Sequence, residues 1–185
     1  MRRHPLLLGH ARCGLLVVDI QEKILSVMAQ PDLVVENSVK LIRGFKLLEC
    51  PIFVTEQYPA GLGPTVTPVA QALESVQVLE KITFSCCGIE DLVRSLRSSK
   101  IEQIVLCGIE SHVCVWQTAM DLHHNDFQTY VASDAVSSRK STDFETSLTR
   151  MMSHGILVTT TEMVLFELAE RAGTDTFKAI SRLVR

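Results

Sequence analysis

Short apolar runs alternate along the chain with segments whose apolar residues recur at helical spacing. The runs are Gly14–Val18, Pro51–Thr55, Val76–Leu79, Ile104–Cys107, Thr129–Ala132 and Ile156–Thr159. Each is nearly continuous in apolar character, without period-two alternation. That pattern predicts strands buried on both faces, as in a parallel sheet. Between the runs, Val34, Leu41, Phe45 and Leu48 share one helical face, and so do Ile89, Leu92, Val93 and Leu96. Residues 112–124 carry Val115, Ala119 and Leu122 in the same way. Thr142-x-x-Glu145 and Thr159-x-x-Glu162 read as capping boxes, each starting a helix by satisfying orphan amides reciprocally. The resulting order, βαβ(α)βαβαβαβα, predicts an α/β fold whose right-handed crossovers put helices on both faces of the sheet.

Length and composition narrow the class. At 185 residues the chain fits one domain, residues 13–185, behind a short N-terminal tail, residues 1–12. Hydrophobic residues are 46% and charged residues 21%, which excludes disorder. A net charge of −3 and 5% aromatics argue against a nucleic-acid partner, because both backbone neutralisation and base stacking lack material. No apolar stretch approaches the roughly 18 residues of a membrane span, so no membrane partner is expected. The first 18 residues contain no acid but hold Arg2, Arg3 and Arg12. That composition suits a mitochondrial presequence or a plain basic tail. The early start of the first strand favours the tail, so the expected location is cytoplasmic, with the mitochondrion as the alternative.

The cysteines are Cys13, Cys50, Cys86, Cys87, Cys107 and Cys114. Most adjoin apolar runs, and no C-x-x-C pair occurs, so packed free thiols in a reducing compartment are expected rather than disulfides. Cys114 differs by context. It follows a strand, Gly108 and the polar Glu110-Ser111-His112, and it opens a helix. A thiol in a first helical turn is expected to have a lowered pKa. Packing remains the competing reading for it.

Ligands of open α/β sheets bind beyond the carboxyl ends of the strands. The residues there are Asp19-Ile20-Gln21, Glu56-Gln57-Tyr58, Glu80-Lys81, Gly108–Cys114 and Ser133-Asp134. Asp19 abuts a buried run and so reads either as a helix cap or as a paired functional carboxylate. Asp134 reads as a turn or cap residue. Lys81 beside a strand-end aspartate could hold that carboxylate ionised. His112 ranks behind Asp19 as a base for Cys114, because side chains at a helix start diverge. His123 and His124 are adjacent and point to different helix faces, and no metal motif occurs.

Leu15-Leu-Val-Val-Asp19-Ile-Gln21, then Lys81, then Cys107-Gly-Ile-Glu110-Ser-His-Val-Cys114-Val-Trp116-Gln-Thr118 resembles the isochorismatase-like cysteine hydrolase family. Glu56-Gln-Tyr-Pro59 and Asp134-Ala-Val-Ser-Ser-Arg139 resemble its isochorismatase domain-containing subgroup. The resemblance implies a Rossmann-like three-layer α/β/α fold with a six-stranded parallel sheet. It also implies a catalytic triad of Asp19, Lys81 and Cys114, with Asp19 as base, Lys81 supporting its charge and Cys114 forming a thioester. A cis peptide at Ile109–Glu110 is implied too, aiming the amides of Glu110 and Cys114 at an oxyanion. Gln21, Tyr58, Phe84 and Trp116 are the candidate substrate-binding residues, the aromatic ones having core packing as their competing role. The stretch after the second strand has no histidine, which sets this chain apart from nicotinamidases and their metal. The expected activity is therefore metal-free and cofactor-free hydrolysis of a C–N, amide-type bond in a small molecule. Alternatives are hydrolysis without covalent catalysis, as in true isochorismatases, a binding or regulatory protein on the same fold, and the mitochondrion-associated ribonuclease label carried by some trypanosomatid relatives. A homo-oligomer is implied by resemblance alone.

Overall fold

The computed structural model describes residues 3–185. Its sheet has six strands: β1 Cys13–Val18, β2 Ile52–Gln57, β3 Val78–Lys81, β4 Gln103–Ile109, β5 Gln128–Ser137 and β6 Leu157–Thr159. All neighbours are parallel, in the order β3-β2-β1-β4-β5-β6. The helices are α1 Glu22–Leu25, α2 Pro31–Leu47, α3 Pro59–Leu62, α4 Thr67–Leu73, α5 Glu90–Ser98, α6 Trp116–His124, α7 Ser141–Ser153, α8 Thr161–Ala169 and α9 Asp175–Leu183. This is the Rossmann-like α/β/α architecture expected.

Two cores flank the sheet. On one face Val34, Leu41 and Phe45 of α2 pack with Leu165 of α8 and Ile180 of α9. On the other Leu92 and Leu96 of α5 pack with Ala119 and Leu122 of α6 and Met151 of α7. Every residue of β1 and β4 is buried, which is why both strands read as continuous apolar runs. Gly108 lies within β4 rather than in a turn after it. It has φ 117°, and a Cβ there would stand 2.0 Å from the Val18 carbonyl oxygen. Only glycine lets β4 close on β1 at this level.

Several local expectations need correction. β3 sits two residues later than Val76–Leu79, so Lys81 ends the strand instead of following it. Neither capping box forms as read. α7 starts at Ser141 behind Lys140, with Thr142 already inside the helix. α8 is capped by Thr160, which accepts from the Met163 amide at 3.4 Å. Asp134 is not in a turn: it lies inside β5 and its Oδ1 accepts from the Thr161 amide at 2.8 Å. The cap role is real, but its helix is far along the chain. The described part of the N-terminal segment is docked. Tyr130 donates to the Leu6 carbonyl at 2.7 Å, Gln103 accepts from the Gly9 amide at 2.8 Å, and Leu8 is buried. Among the described residues no helix is long and apolar enough to cross a membrane.

All six cysteines are free. Burial raises their thiols from the ordinary 9.0, to about 11 for Cys50 and Cys86, to about 12 for Cys87, Cys107 and Cys114, and well above it for Cys13. A raised folded-state pKa stabilises fully below the unfolded thiol value and is lost as pH climbs through the folded one. The unfolding temperature is therefore expected to hold through neutral pH and to fall steeply above about pH 9. A thermal melt series across that range checks it; an unchanged midpoint near pH 11 would oppose the burial argument.

Candidate active site

The strand order reverses between β1 and β4, since β2 and β3 lie on one side of β1 and β4 to β6 on the other. Such a switch point opens a crevice at the carboxyl ends of the two strands. Asp19 follows β1, in register beside β4, where Val18 pairs with Gly108. It adopts φ 51°, a left-handed conformation that aspartate tolerates better than most side chains. That turn directs the carboxylate into the protein, where it is 2% exposed. It caps no helix. Oδ1 accepts from the Thr55 hydroxyl at 2.8 Å and Oδ2 from Lys81 Nζ at 2.6 Å.

Lys81 reaches this carboxylate from β3, across the end of β2. Its ammonium also donates to Gln57 Oε1 at 2.7 Å and lies within 3.1 Å of the Phe84 carbonyl and 3.3 Å of the Thr83 carbonyl. Three N–H donors thus face four acceptors. Burial works to lower the lysine pKa, but the Asp19 carboxylate and the nearby thiols prevail and leave it raised. Lys81 is a fixed cation, not a proton carrier.

After β4 the chain makes one π turn, Ser111–Val115, before α6. The Glu110 carbonyl accepts from the amides of Val113 and Val115, each at 3.1 Å. π turns are rare and recur at functional sites. The Ile109–Glu110 peptide leading into it is cis. Cys114 sits in this turn, 6% exposed, where the charges of Asp19 and Lys81 act on its thiol. The expectation of a lowered thiol pKa is overturned. Burial first, then the Asp19 charge, push Cys114 up to about 12, and Lys81 offsets only part. Burial and the Asp19 charge together favour the neutral thiol over the thiolate.

The other expected residues separate into three groups. Glu110 is buried and its Oε1 accepts from Arg139 Nε at 2.9 Å, which ties the turn to the end of β5. Tyr58 and Phe84 are more than half exposed, in the segments that follow β2 and β3. Gln21 and Trp116 are engaged with other parts of the protein. The Gln21 amide is fully buried: its nitrogen donates to the carbonyls of Gln57 and Gly63, and its oxygen accepts from the Gln57 amide. It braces the loop after β2. Trp116 turns toward α7, under the Arg150 guanidinium at 4.3 Å and edge-on to His154. His112 turns the same way, with Nδ1 2.8 Å from the Ser138 hydroxyl and Nε2 3.9 Å from Asp143.

Thr55, Gln57 and Cys86 also meet at the Asp19–Lys81 pair; Gln57 is one of the strand-end residues and Cys86 follows Lys81 closely, whereas no sequence feature singles out Thr55. Thr55 and Gln57 are polar residues at the end of β2. Cys86 Sγ lies 3.5 Å from the Thr55 hydroxyl. Among the described residues no cluster of histidine, cysteine and acidic side chains could hold a metal ion.

Residues 13–163 match the family described as Isochorismatase domain. Isochorismatase domain-containing protein 2 of Danio rerio is 38% identical over 171 residues, covering 92% of this chain and 85% of that one. A secreted isochorismatase effector of Phytophthora sojae is 36% identical over 176 residues, covering 92% and 83%. Among solved structures, one described as the MAR1 ribonuclease of Caenorhabditis elegans superposes with a TM-score of 0.89 at 34% identity, covering 96% of this chain and 91% of that one.

Proposed function

The chain belongs to the isochorismatase family of hydrolases, and from that premise we propose that it is a metal-free cysteine hydrolase of C–N, amide-type bonds in small molecules. The observation that carries this reading is the buried Asp19–Lys81 pair, whose charges act on the Cys114 thiol. A packing cysteine needs neither partner, and a buried ion pair is costly to keep for stability alone.

In the proposed reaction the Cys114 sulfur attacks the carbonyl carbon while its proton passes to Asp19. The carbonyl oxygen becomes an oxyanion, which the amides of Glu110 and Cys114 stabilise. As the C–N bond breaks, Asp19 returns the proton to the leaving nitrogen. Water then attacks the thioester, gives its proton to Asp19, and the proton finally restores the thiol. Throughout, Lys81 balances the charge that moves between sulfur and carboxylate. A neutral resting thiol suits this sequence, because deprotonation coincides with attack.

The test is mass spectrometry of the protein after exposure to a panel of small primary amides. An acyl mass increment on the Cys114 peptide, absent from Cys114→Ala and decaying with time, is the expected result. Amide turnover that persists in Cys114→Ala would overturn the covalent reading. The ribonuclease description of the Caenorhabditis protein belongs to that protein. Cleavage of a single-stranded RNA oligonucleotide, with binding that weakens steeply as salt rises, would move the assignment there.

Self-association is part of the proposal. Tyr58, Ile82 and Phe84, which follow the ends of β2 and β3, expose 57%, 83% and 54% of their surface. Large apolar side chains left in water are candidates for contact with another copy of the chain. Light scattering is expected to read a dimer or larger; a monomer at micromolar concentration opposes it.

A further inference from the structure

We propose that Thr55 is a positioning residue for proton transfer, fixing the Asp19 carboxylate in the one orientation that can receive the Cys114 proton. The proposal rests on the reading of Cys114 as nucleophile and Asp19 as base. A carboxylate held at one oxygen can still swing about its terminal torsion. Here both oxygens are pinned, Oδ2 by Lys81 at 2.6 Å and Oδ1 by Thr55 at 2.8 Å. Lys81 alone cannot set the plane, because its ammonium is a rotatable point charge. The second pin must come from β2, and Thr55 is the β2 residue that supplies it.

The direction of the Thr55 hydrogen bonds follows from proton counting. A threonine hydroxyl has one proton and two lone pairs. The carboxylate at 2.8 Å is an acceptor only, so the proton goes to Asp19. Cys86, 3.5 Å away on the other side, must then donate its S–H to the Thr55 oxygen. Cys86 is itself fully buried, and the Thr118 hydroxyl accepts from its backbone amide at 2.9 Å. The relay Cys86 to Thr55 to Asp19 therefore has one sense, and Thr55 cannot turn away without stranding two buried groups. This gives the second buried thiol a role: it holds the hydroxyl that holds the base.

The charged and titratable groups that act on the Cys114 thiol are Asp19, Lys81 and Cys86. When Asp19 takes the proton internally, alkylation of Cys114 should not require loss of a proton to solvent. Its rate is then level with pH through the neutral range. Without an aligned acceptor, reaction waits for free thiolate and rises about tenfold per pH unit until the thiol titrates.

The experiment is peptide-resolved iodoacetamide labelling of Cys114 from about pH 6 to pH 9, with thermal unfolding as the folding control. It compares the natural protein, Thr55→Val, Thr55→Ser and Asp19→Asn. The expected outcome is a level profile for the natural protein and Thr55→Ser, and a rising profile for Thr55→Val and Asp19→Asn. Valine keeps the shape of threonine, so a packing role would leave its profile level. A level profile in folded Thr55→Val beside a rising one in Asp19→Asn overturns the role of Thr55 and leaves the base intact. A rising profile in the natural protein overturns Asp19 as the base instead. A rising profile in Thr55→Ser also counts against the inference, because serine retains the hydroxyl.

Discussion

Asp19→Asn is expected to lower amide turnover by about 10²–10⁴-fold, the range for losing a positioned general base, while making the Cys114 thiol more acidic. The two effects point in opposite directions for a simple thiolate nucleophile, which makes the variant informative. In the natural protein the Asp19 charge helps raise the thiol to about 12, and Lys81 works against it. The amide of asparagine removes the opposing charge and leaves the cation. The thiol must then titrate lower, and more thiolate is present at any pH below its midpoint. If an ion-paired thiolate were the working form, this variant would be the faster enzyme. If the proton has to be handed to the carboxylate and later to the leaving nitrogen, it is nearly dead. Ultraviolet titration of thiolate absorbance together with turnover on any amide found separates the cases. Gain of thiolate with retained turnover would exclude Asp19 as the proton carrier.

Lys81→Met is expected to cost the fold about 3–5 kcal/mol, the usual result of breaking a buried ion pair from one side. Its ammonium is 1% exposed and its partner carboxylate 2%. Removal leaves Asp19 in a dry site with Thr55 as its remaining fixed donor. For a domain of this size such a loss lowers the melting temperature by about 10 °C or more. The paired variant Asp19→Leu with Lys81→Met should recover much of that loss, since two apolar groups carry no desolvation cost. Thermal melts of the single and double variants decide the matter. Equal losses in both would mean that the stranded Asp19 charge is not what destabilises Lys81→Met. Neither variant is expected to turn over substrate.

Legibility in the sequence followed burial. β1 and β4, buried on both faces, are nearly continuous apolar runs and were placed within a residue or two. β3 is the sheet edge, with Val78 and Glu80 exposed, so its run of apolar residues is not its strand. The caps differ from the expectation because a window along the chain sees only local partners. Asp134 caps α8 from inside β5, and no local pattern carries that information. Within the candidate site, Asp19 and Cys114 stand out by what flanks them, whereas Lys81 alone resembles any surface lysine. Thr55 is silent in the sequence for a different reason, and Cys86 is marked there only by following Lys81 closely. Both are small residues at home in a core, and only their distance to one carboxylate gives them a chemical part. Gln21 and Trp116 erred the other way: their neighbours along the chain are site residues, but their side chains leave the site.

The close approach that Gly108 permits has a consequence for how the protein acquires its chemistry. The seam between β1 and β4 joins Cys13 to Gln103 and carries Asp19 to the turn of Cys114. It is a contact between distant parts of the chain, and such contacts pay their loop-closure entropy before they return any stabilisation. Neither flank of the sheet contains a whole reaction centre. A newly made chain can collapse each half and still be inert. The reactive constellation comes into being only when the halves meet, so a partly folded molecule presents no armed thiol to its surroundings.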